Sequence, residues 1–240
     1  MKQEQVTAVI LAAGTGKRMN SRQKKQYLML QGHPLLYYSL KAFEESCVDR
    51  IILVTGAEEF EFCRHNLIEA GSFQKVTELV AGGKERYHSV YAGLKAASGS
   101  DYVLIHDGAR PFVTETIIAR TLEGARKYGA CAAGVRSKDT IKLADEADFS
   151  RQTPDRSKVW AMQTPQTFSY ELIFEAYRRL IERENKGEPV TVTDDAMVAE
   201  LMMRHPVKLT EGSYENFKIT TPVDLLLAQA QMQAGVWTQH

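Results

Sequence analysis

The feature that most constrains the fold is a regular alternation of short apolar runs with longer amphipathic stretches. Val6–Ala13 is apolar, a stretch with Leu36, Leu40 and Phe43 on one helical face follows, and Arg50–Thr55 is apolar again. Phe60, Cys63 and Leu67 line a second helix, Val76–Val80 a strand, Val90, Leu94 and Ala97 a third helix, and Tyr102–His106 another strand. Ile118, Leu122 and Ala125 continue the series as far as Gly129, a residue suited to the position after a helix C-terminus. This order predicts an α/β, Rossmann-like fold: a mainly parallel twisted sheet with helices on both faces, since parallel neighbours need a crossover that a helix supplies. Ligands of such sheets sit outside the carboxyl ends of the strands.

From Asp139 to Arg156 the pattern changes. The segment DTIKLADEADFSRQTPDR is polar, with Ile141 and Leu143 alternating and no helical face long enough to pack, and it predicts an arm over residues 137–158. After Gln166, Ile173, Tyr177 and Leu180 restore a helical period. Thr221, Pro222 and Asp224 open the last helix as N-cap, first-turn proline and N3 acid.

The 240 residues are 44% hydrophobic and 25% charged, which fits one ordinary α/β domain and argues against disorder. Thirty basic residues balance thirty acidic ones, so nothing global favours nucleic acid or an anionic membrane, and a positive site must be local. Cys47, Cys63 and Cys131 are scattered and form no CxxC pair, which speaks against a disulfide framework or a zinc site and for reduced thiols. No apolar run approaches a membrane span, and glycine interrupts the opening apolar run too early for a signal peptide; the expectation is a cytoplasmic chain.

Against this balance, AAGTGKRMNSRQKKQYL gathers Lys17, Arg18, Arg22, Lys24 and Lys25 beside Gly14 and Gly16 without one acid. It is not a P-loop, which needs glycine at Leu11 and Ser or Thr at Arg18, nor a dinucleotide fingerprint, which needs glycine at Met19. What remains is a strand, a small-residue turn, Arg18 and Lys25. That spacing suits backbone donors and two cations around a polyphosphate, or a tight turn whose charges face water. The turn Asp107–Pro111 in VLIHDGARP follows another strand end, so both turns could face one pocket. His88 and His106 belong to no metal-binding spacing and are given no catalytic role, and no Ser/His/Asp or Cys/His signature is present.

AVILAAGTGKRM, KKQYL, VAGGKERYHSV, VLIHDGARPF, KDTIK, WAMQTPQTF, TDDA and GSYENFKITTPVDL occur in this order between Val6 and about Leu227. Together they resemble the 2-C-methyl-D-erythritol 4-phosphate cytidylyltransferase family. The resemblance implies a single cytidylyltransferase domain over residues 1–240. Its phosphate acceptor attacks the α-phosphorus of CTP, and pyrophosphate leaves. A phosphate monoester with a second pKa of about 6 is mostly a dianion at neutral pH, so no general base is required. The work then falls on positioning and charge neutralisation.

Carried over by resemblance, Arg18 and Lys25 stabilise the reacting triphosphate, and Arg156 and Lys218 supply cations for the acceptor phosphate. Ala12, Ala13, Gly14 and Gly16 approach the nucleotide, with Gly82, Gly83 and Ser89 completing the base pocket. Asp107 is implied to hold Mg2+, which accompanies CTP, or an acceptor hydroxyl; its ordinary alternative is a turn or capping role. Arg110 positions phosphate or braces its turn. Thr140 and Thr193 supply hydroxyls near the acceptor, although Thr193 is equally well placed as a helix N-cap.

The resemblance further implies a homodimer in which the dimerisation arm, with Thr140 and Arg156, completes the neighbouring subunit's site. Two positions depart from the family pattern: Lys84, where many relatives have aspartate, and Lys24, where many have proline. The competing readings are a D-ribitol 5-phosphate cytidylyltransferase, whose CTP motifs are shared, and a CTP-binding regulatory protein without turnover. TDDA favours methylerythritol phosphate as acceptor over ribitol phosphate.

Overall fold

The computed structural model of the protein describes residues 3–14 and 24–235. Arg18 and Gly16 therefore lie outside the described residues. In chain order the elements are β1 (Val6–Leu11), β2 (Met29–Leu30), β3 (His33–Pro34), α1 (Leu35–Glu44), β4 (Arg50–Thr55) and α2 (Phe60–Cys63). They continue with β5 (Val76–Ala81), α3 (Arg86–Ala96), β6 (Tyr102–Asp107), α4 (Glu115–Tyr128), β7 (Ala130–Arg136), β8 (Leu143–Ala144) and β9 (Ser150–Gln152). The last are β10 (Trp160–Ser169), α5 (Tyr170–Asn185), α6 (Asp195–Met203), β11 (Lys208–Glu211) and α7 (Pro222–Gln233).

Among the described residues, one seven-stranded sheet has the order β11-β7-β10-β6-β1-β4-β5. All its neighbours pair in parallel except β10, which runs against both β6 and β7. Alternate strand residues feed opposite faces, as the two-residue period requires. Ala8, Ile10, Ile51, Leu53 and Leu104 pack under α1 and α4, with Leu36, Leu40, Phe43, Ile118 and Leu122. Val9, Ile52, Val54, Val103 and Ile105 pack under α3, α5 and α6, with Val90, Leu94, Tyr177, Leu180 and Val198. The predicted layering, a mainly parallel sheet covered on both faces, is the observed one.

The three strands on the far side of β6, namely β10, β7 and β11, were not read from the sequence. β10 carries Pro165 at an irregularity between Met162 and Gln166, where the ladder to β7 shifts register, so a central strand accommodates a residue that cannot donate to it. The β7 sequence ACAAGVR is built of small residues with weak strand preference. Its small side chains suit close packing: a Cβ on Gly124 of α4 would collide with Cys131.

The helix expected through Leu67 is realised as α2, which runs on as a wider π-helical turn, Arg64–Glu69. Gly129 closes α4 with φ +80°, and Thr221 caps α7 in a reciprocal bond with Asp224, as the sequence predicts. Within the arm, β8 and β9 pair as an antiparallel hairpin with Ile141, Leu143 and Phe149 exposed, Phe149 at 68%. Cys63 and Cys131 are buried, Cys47 is exposed, and all three are free thiols.

The chain places β4 and β5 on one side of β1 and then returns to lay β6 on the other. That reversal opens a crevice outside the carboxyl ends of β1 and β6. Leu11 pairs with Asp107 at this edge, so the turns that leave both strands start side by side.

Candidate active site

Three backbone hydrogen bonds lace the turns at the carboxyl edge together. Ala12 N donates to Val54 O (2.6 Å), Gly82 N to Thr55 O (2.8 Å) and Gly108 N to Leu11 O (2.9 Å). Ala12 and Ala13, expected to end the first strand, instead lie beyond it and line a cavity of about 270 Å³ with Gly14, Lys25, Gly83, Lys84, Ser89, Asp107 and Lys218. Gly82 and Gly83 are required here by close approach: a Cβ on Gly82 would collide with that of Ala13, and one on Gly83 with His88. Gly83 N donates to Ser89 Oγ at 3.1 Å. The structure thus gathers Ala12, Ala13, Gly14, Lys25, Gly83 and Ser89 around one cavity, with Gly82 directly behind Ala13.

A second cavity of about 250 Å³ adjoins the first and shares Arg86, Asp107 and Lys218 with it. Arg110, Gln163, Thr164, Gln166, Thr193 and Asp194 are among the rest of its lining. Asp107 sits in the common wall with its side chain 10% exposed. Lys218 Nζ lies 2.8 Å from Asp107 Oδ2, Arg86 Nε 3.4 Å from Oδ1 and Arg110 Nε 3.8 Å from Oδ2. Burial works to raise the Asp107 pKa, but the Arg86, Lys218 and Arg110 charges overcome it and hold the carboxyl well below the usual carboxylate range. The result is an ionised carboxylate under an excess of positive charge.

Sequence-distant segments converge on this wall. Ile219 N donates to Ala109 O (2.9 Å), which brings Lys218 against the Asp107 turn, and Lys25 Nζ approaches Ile219 O at 3.4 Å. Arg110 Nη1 donates to Asn216 O (2.9 Å), and Arg110 N to Asp107 O (2.9 Å). Arg110 thus braces its turn while its side chain also lines the second cavity. Beneath the turn, His106 Nε2 donates to Arg110 O (3.2 Å), Thr164 Oγ1 donates to His106 Nδ1 (3.1 Å), and Asp107 N donates to Thr164 Oγ1 (3.1 Å). Full burial depresses the His106 pKa to about 3, so this imidazole is a neutral support under Asp107 and Arg110.

Arg86 and Asp195 were missed by sequence reading. Asp195 is wholly buried and accepts from Nη1 and Nη2 of Arg86, at 2.8 and 2.7 Å, and the Tyr177 hydroxyl donates to it as well. The fork orients Arg86 so that Nε faces Asp107 while the side chain borders both cavities. Asp195 lies on the α6 face that also buries Val198, Ala199 and Met202. An acid on an apolar stripe needs a buried cation, and that was the available signal.

The N-cap anticipated for Thr193 falls one residue later, on Asp194. Its carboxylate accepts from Met197 N and from Gln166 Nε2, both at 2.9 Å. Thr193 is exposed and borders the second cavity. Gln26 was also missed; its amide nitrogen donates to the carbonyls of Ala12 and of Gly14 (3.2 Å) and shapes the glycine turn from below.

Thr140 and Arg156 stand apart from this convergence. Both are exposed on the arm segment, neither lines either cavity, and Arg156 Nη1 donates to Lys138 O at 3.3 Å. Among the described residues no group of three or more His, Cys, Asp or Glu side chains could hold a metal ion. No helix among them is long and apolar enough to cross a membrane.

The fold agrees with comparisons to known proteins. The sequence profile of the 2-C-methyl-D-erythritol 4-phosphate cytidylyltransferase (IspD) family matches residues 6–234. The protein of that name from Lachnoclostridium phytofermentans is 47% identical over 227 residues, 95% of this chain and 96% of its own. That from Lachnospira eligens is 50% identical over 223 residues, 92% of this chain and 96% of its own. Among solved structures, 4-diphosphocytidyl-2C-methyl-D-erythritol synthase from Anaerococcus prevotii superposes with a TM-score of 0.84 at 33% identity, covering 96% of both chains. The corresponding cytidylyltransferase from Thermus thermophilus superposes with a TM-score of 0.73 at 31% identity, over 95% of this chain and 99% of its own. The chain belongs to the 2-C-methyl-D-erythritol 4-phosphate cytidylyltransferase family.

Proposed function

We infer that this protein transfers the cytidylyl group of CTP to 2-C-methyl-D-erythritol 4-phosphate, forming 4-diphosphocytidyl-2-C-methyl-D-erythritol and pyrophosphate. The observation that carries this reading is the pair of adjoining cavities with Arg86, Asp107 and Lys218 as their common wall. A nucleotide in the cavity of small residues and a polyol phosphate in the other would meet at that wall. The acceptor's phosphate oxygen forms the new bond to the α-phosphorus, and the bond to the β-phosphate bridging oxygen breaks with its electron pair leaving on pyrophosphate. The acceptor enters as a dianion, so the site needs fixed cations rather than a base.

In this reading Lys25 and Arg18 neutralise the triphosphate, Lys218 and Arg110 face the acceptor phosphate, and Thr193 borders the polyol. Asp107 holds Lys218 and Arg86 in place. Among the described residues it is also the one carboxylate lining both cavities, and so the candidate contact to Mg2+ or to an acceptor hydroxyl. Its oxygens are already engaged by cations, which fits an ion held chiefly by phosphate oxygens and water rather than by a protein cage. When bound, Mg2+ would neutralise developing charge on the phosphates.

The arm completes the proposal. Thr140 and Arg156 reach neither cavity of their own chain, whereas the exposed Ile141, Leu143 and Phe149 give the arm apolar surface to bury. A homodimer in which each arm enters the other subunit's acceptor cavity accounts for both. Mixing Arg18→Ala subunits with Arg156→Ala subunits is expected to restore part of the activity that each lacks, because one composite site per mixed dimer is intact. Absence of recovery after demonstrated subunit exchange contradicts the shared site.

The reading is tested by pyrophosphate release with CTP and Mg2+ in the presence of methylerythritol 4-phosphate, ribitol 5-phosphate or no acceptor. Release only with methylerythritol 4-phosphate is expected. Preference for ribitol 5-phosphate would overturn the acceptor, and no release with either would favour a binding protein without turnover.

A further inference from the structure

The turn that carries Lys25 is a single helical turn, Lys25–Tyr27, too short to hold its own place, since one hydrogen-bonded turn does not offset the cost of fixing it. Its position is set by side chains on either side of Lys25. Gln26 is fastened to the glycine turn, as described above, and the Tyr27 hydroxyl reaches Glu59 Oε2 (3.0 Å) and Thr55 Oγ1 (2.7 Å). On the other side, Lys24 Nζ lies 2.7 Å from Glu58 Oε1 and 2.8 Å from Glu59 Oε1.

Glu59 is itself immobilised. Its Oε2 also accepts from Thr55 Oγ1 (2.8 Å) and Gly56 N (3.0 Å), at the carboxyl end of β4. The Glu59 side chain is 12% exposed and that of Lys24 26%. Partial burial shields the pair from the screening that makes fully exposed pairs nearly neutral. Lys24 lines neither cavity, so its ammonium acts on the carboxylates beside the site and not on a ligand within it.

We propose that Lys24 is a positioning residue of the nucleotidyl transfer: its ion pairs with Glu58 and Glu59 fasten the Lys25–Tyr27 turn to the end of β4 and hold the Lys25 ammonium at the nucleotide cavity. The proposal rests on the reading of Lys25 as a cation for the triphosphate. Charge stabilisation of this kind is sensitive to placement, and a shift of about 1 Å can cost up to about 10²-fold in rate. The backbone at Lys24 has φ −62° and ψ 139°, a conformation that proline adopts without strain. Lys24→Pro therefore removes the ammonium while restraining the chain at the same place, and Lys24→Ala removes the ammonium alone.

The test compares the full-length protein with both variants in two measurements. The first is kcat and the CTP KM at saturating methylerythritol 4-phosphate. The second is amide hydrogen exchange of Tyr27, Leu28 and Leu35, whose bonds to Lys24 O, Lys25 O and Leu28 O hold the turn. Lys24→Ala is expected to lower kcat about tenfold, with the KM for CTP within about twofold and with faster exchange at these amides. Lys24→Pro is expected to recover most of both.

Unchanged kcat and exchange in Lys24→Ala would overturn the proposal. So would a raised KM for CTP with normal exchange, which would make Lys24 a direct ligand, or a Lys24→Pro variant as slow as Lys24→Ala, which would assign the loss to the missing charge. If the unaltered protein does not turn over, the reaction assignment fails, and the exchange measurement alone decides whether Lys24 fastens the turn.

Discussion

Lys25→Ala is expected to lower kcat by about 10²-fold or more, the scale of losing one preorganised electrostatic stabiliser, with little change in folding stability. Lys25 lines the nucleotide cavity from a turn whose other side chains are anchored independently of it. In the proposed reaction, negative charge on the α-phosphoryl oxygens and on the departing pyrophosphate must be matched by charges already in place. A cation recruited from solvent would be mobile, hydrated and weaker. Arg18→Ala is expected to act on the same scale. Single-turnover kinetics at saturating CTP would check that the loss lies in the chemical step. Near-normal turnover in both variants would remove these residues from the mechanism.

The second large effect belongs to the Arg86 fork. Arg86→Ala leaves the wholly buried Asp195 without its guanidinium and deprives Asp107 of one of three cations. Removing one partner of a buried ion pair costs about 3–5 kcal/mol, because the other charge stays buried and uncompensated. Arg86 borders the cavities and keeps a 31% exposed side chain, so the lower end, about 3 kcal/mol, is expected in urea unfolding at pH 7. Activity should fall with it, since Arg86 helps hold the shared wall. The double variant Arg86→Met with Asp195→Leu separates the two effects. It is expected to recover most of the stability, as apolar replacements of buried pairs do, and none of the lost kcat. Recovery of both would make the fork structural only.

The parts of this molecule that were legible in the sequence are those whose burial is set by local periodicity. β1, β4 and β6 read as apolar runs because helices cover them on both faces, and α1, α4 and α5 as stripes because each packs one side. β10 was hidden by Pro165 and by the polar Gln163, Thr164 and Gln166, which are buried at the cavity and not in an apolar core. The cation cluster was half legible. Lys25, Asp107, Arg110 and Lys218 stand out in their motifs, but nothing local says that one carboxylate would gather, besides Arg110 of its own turn, Arg86 and Lys218 from two distant segments. Thr193 and Asp194 compete for one cap, and the short acidic side chain that won reaches Met197 N and Gln166 together.

The central claim is that the acceptor's phosphate attacks the α-phosphorus of CTP, and 31P NMR of a turnover mixture tests it most directly. With CTP, Mg2+ and methylerythritol 4-phosphate, the monoester resonance is expected to disappear as two coupled diphosphate resonances and free pyrophosphate grow in equal amounts. A persistent monoester resonance, with CTP intact or merely hydrolysed, would contradict the account.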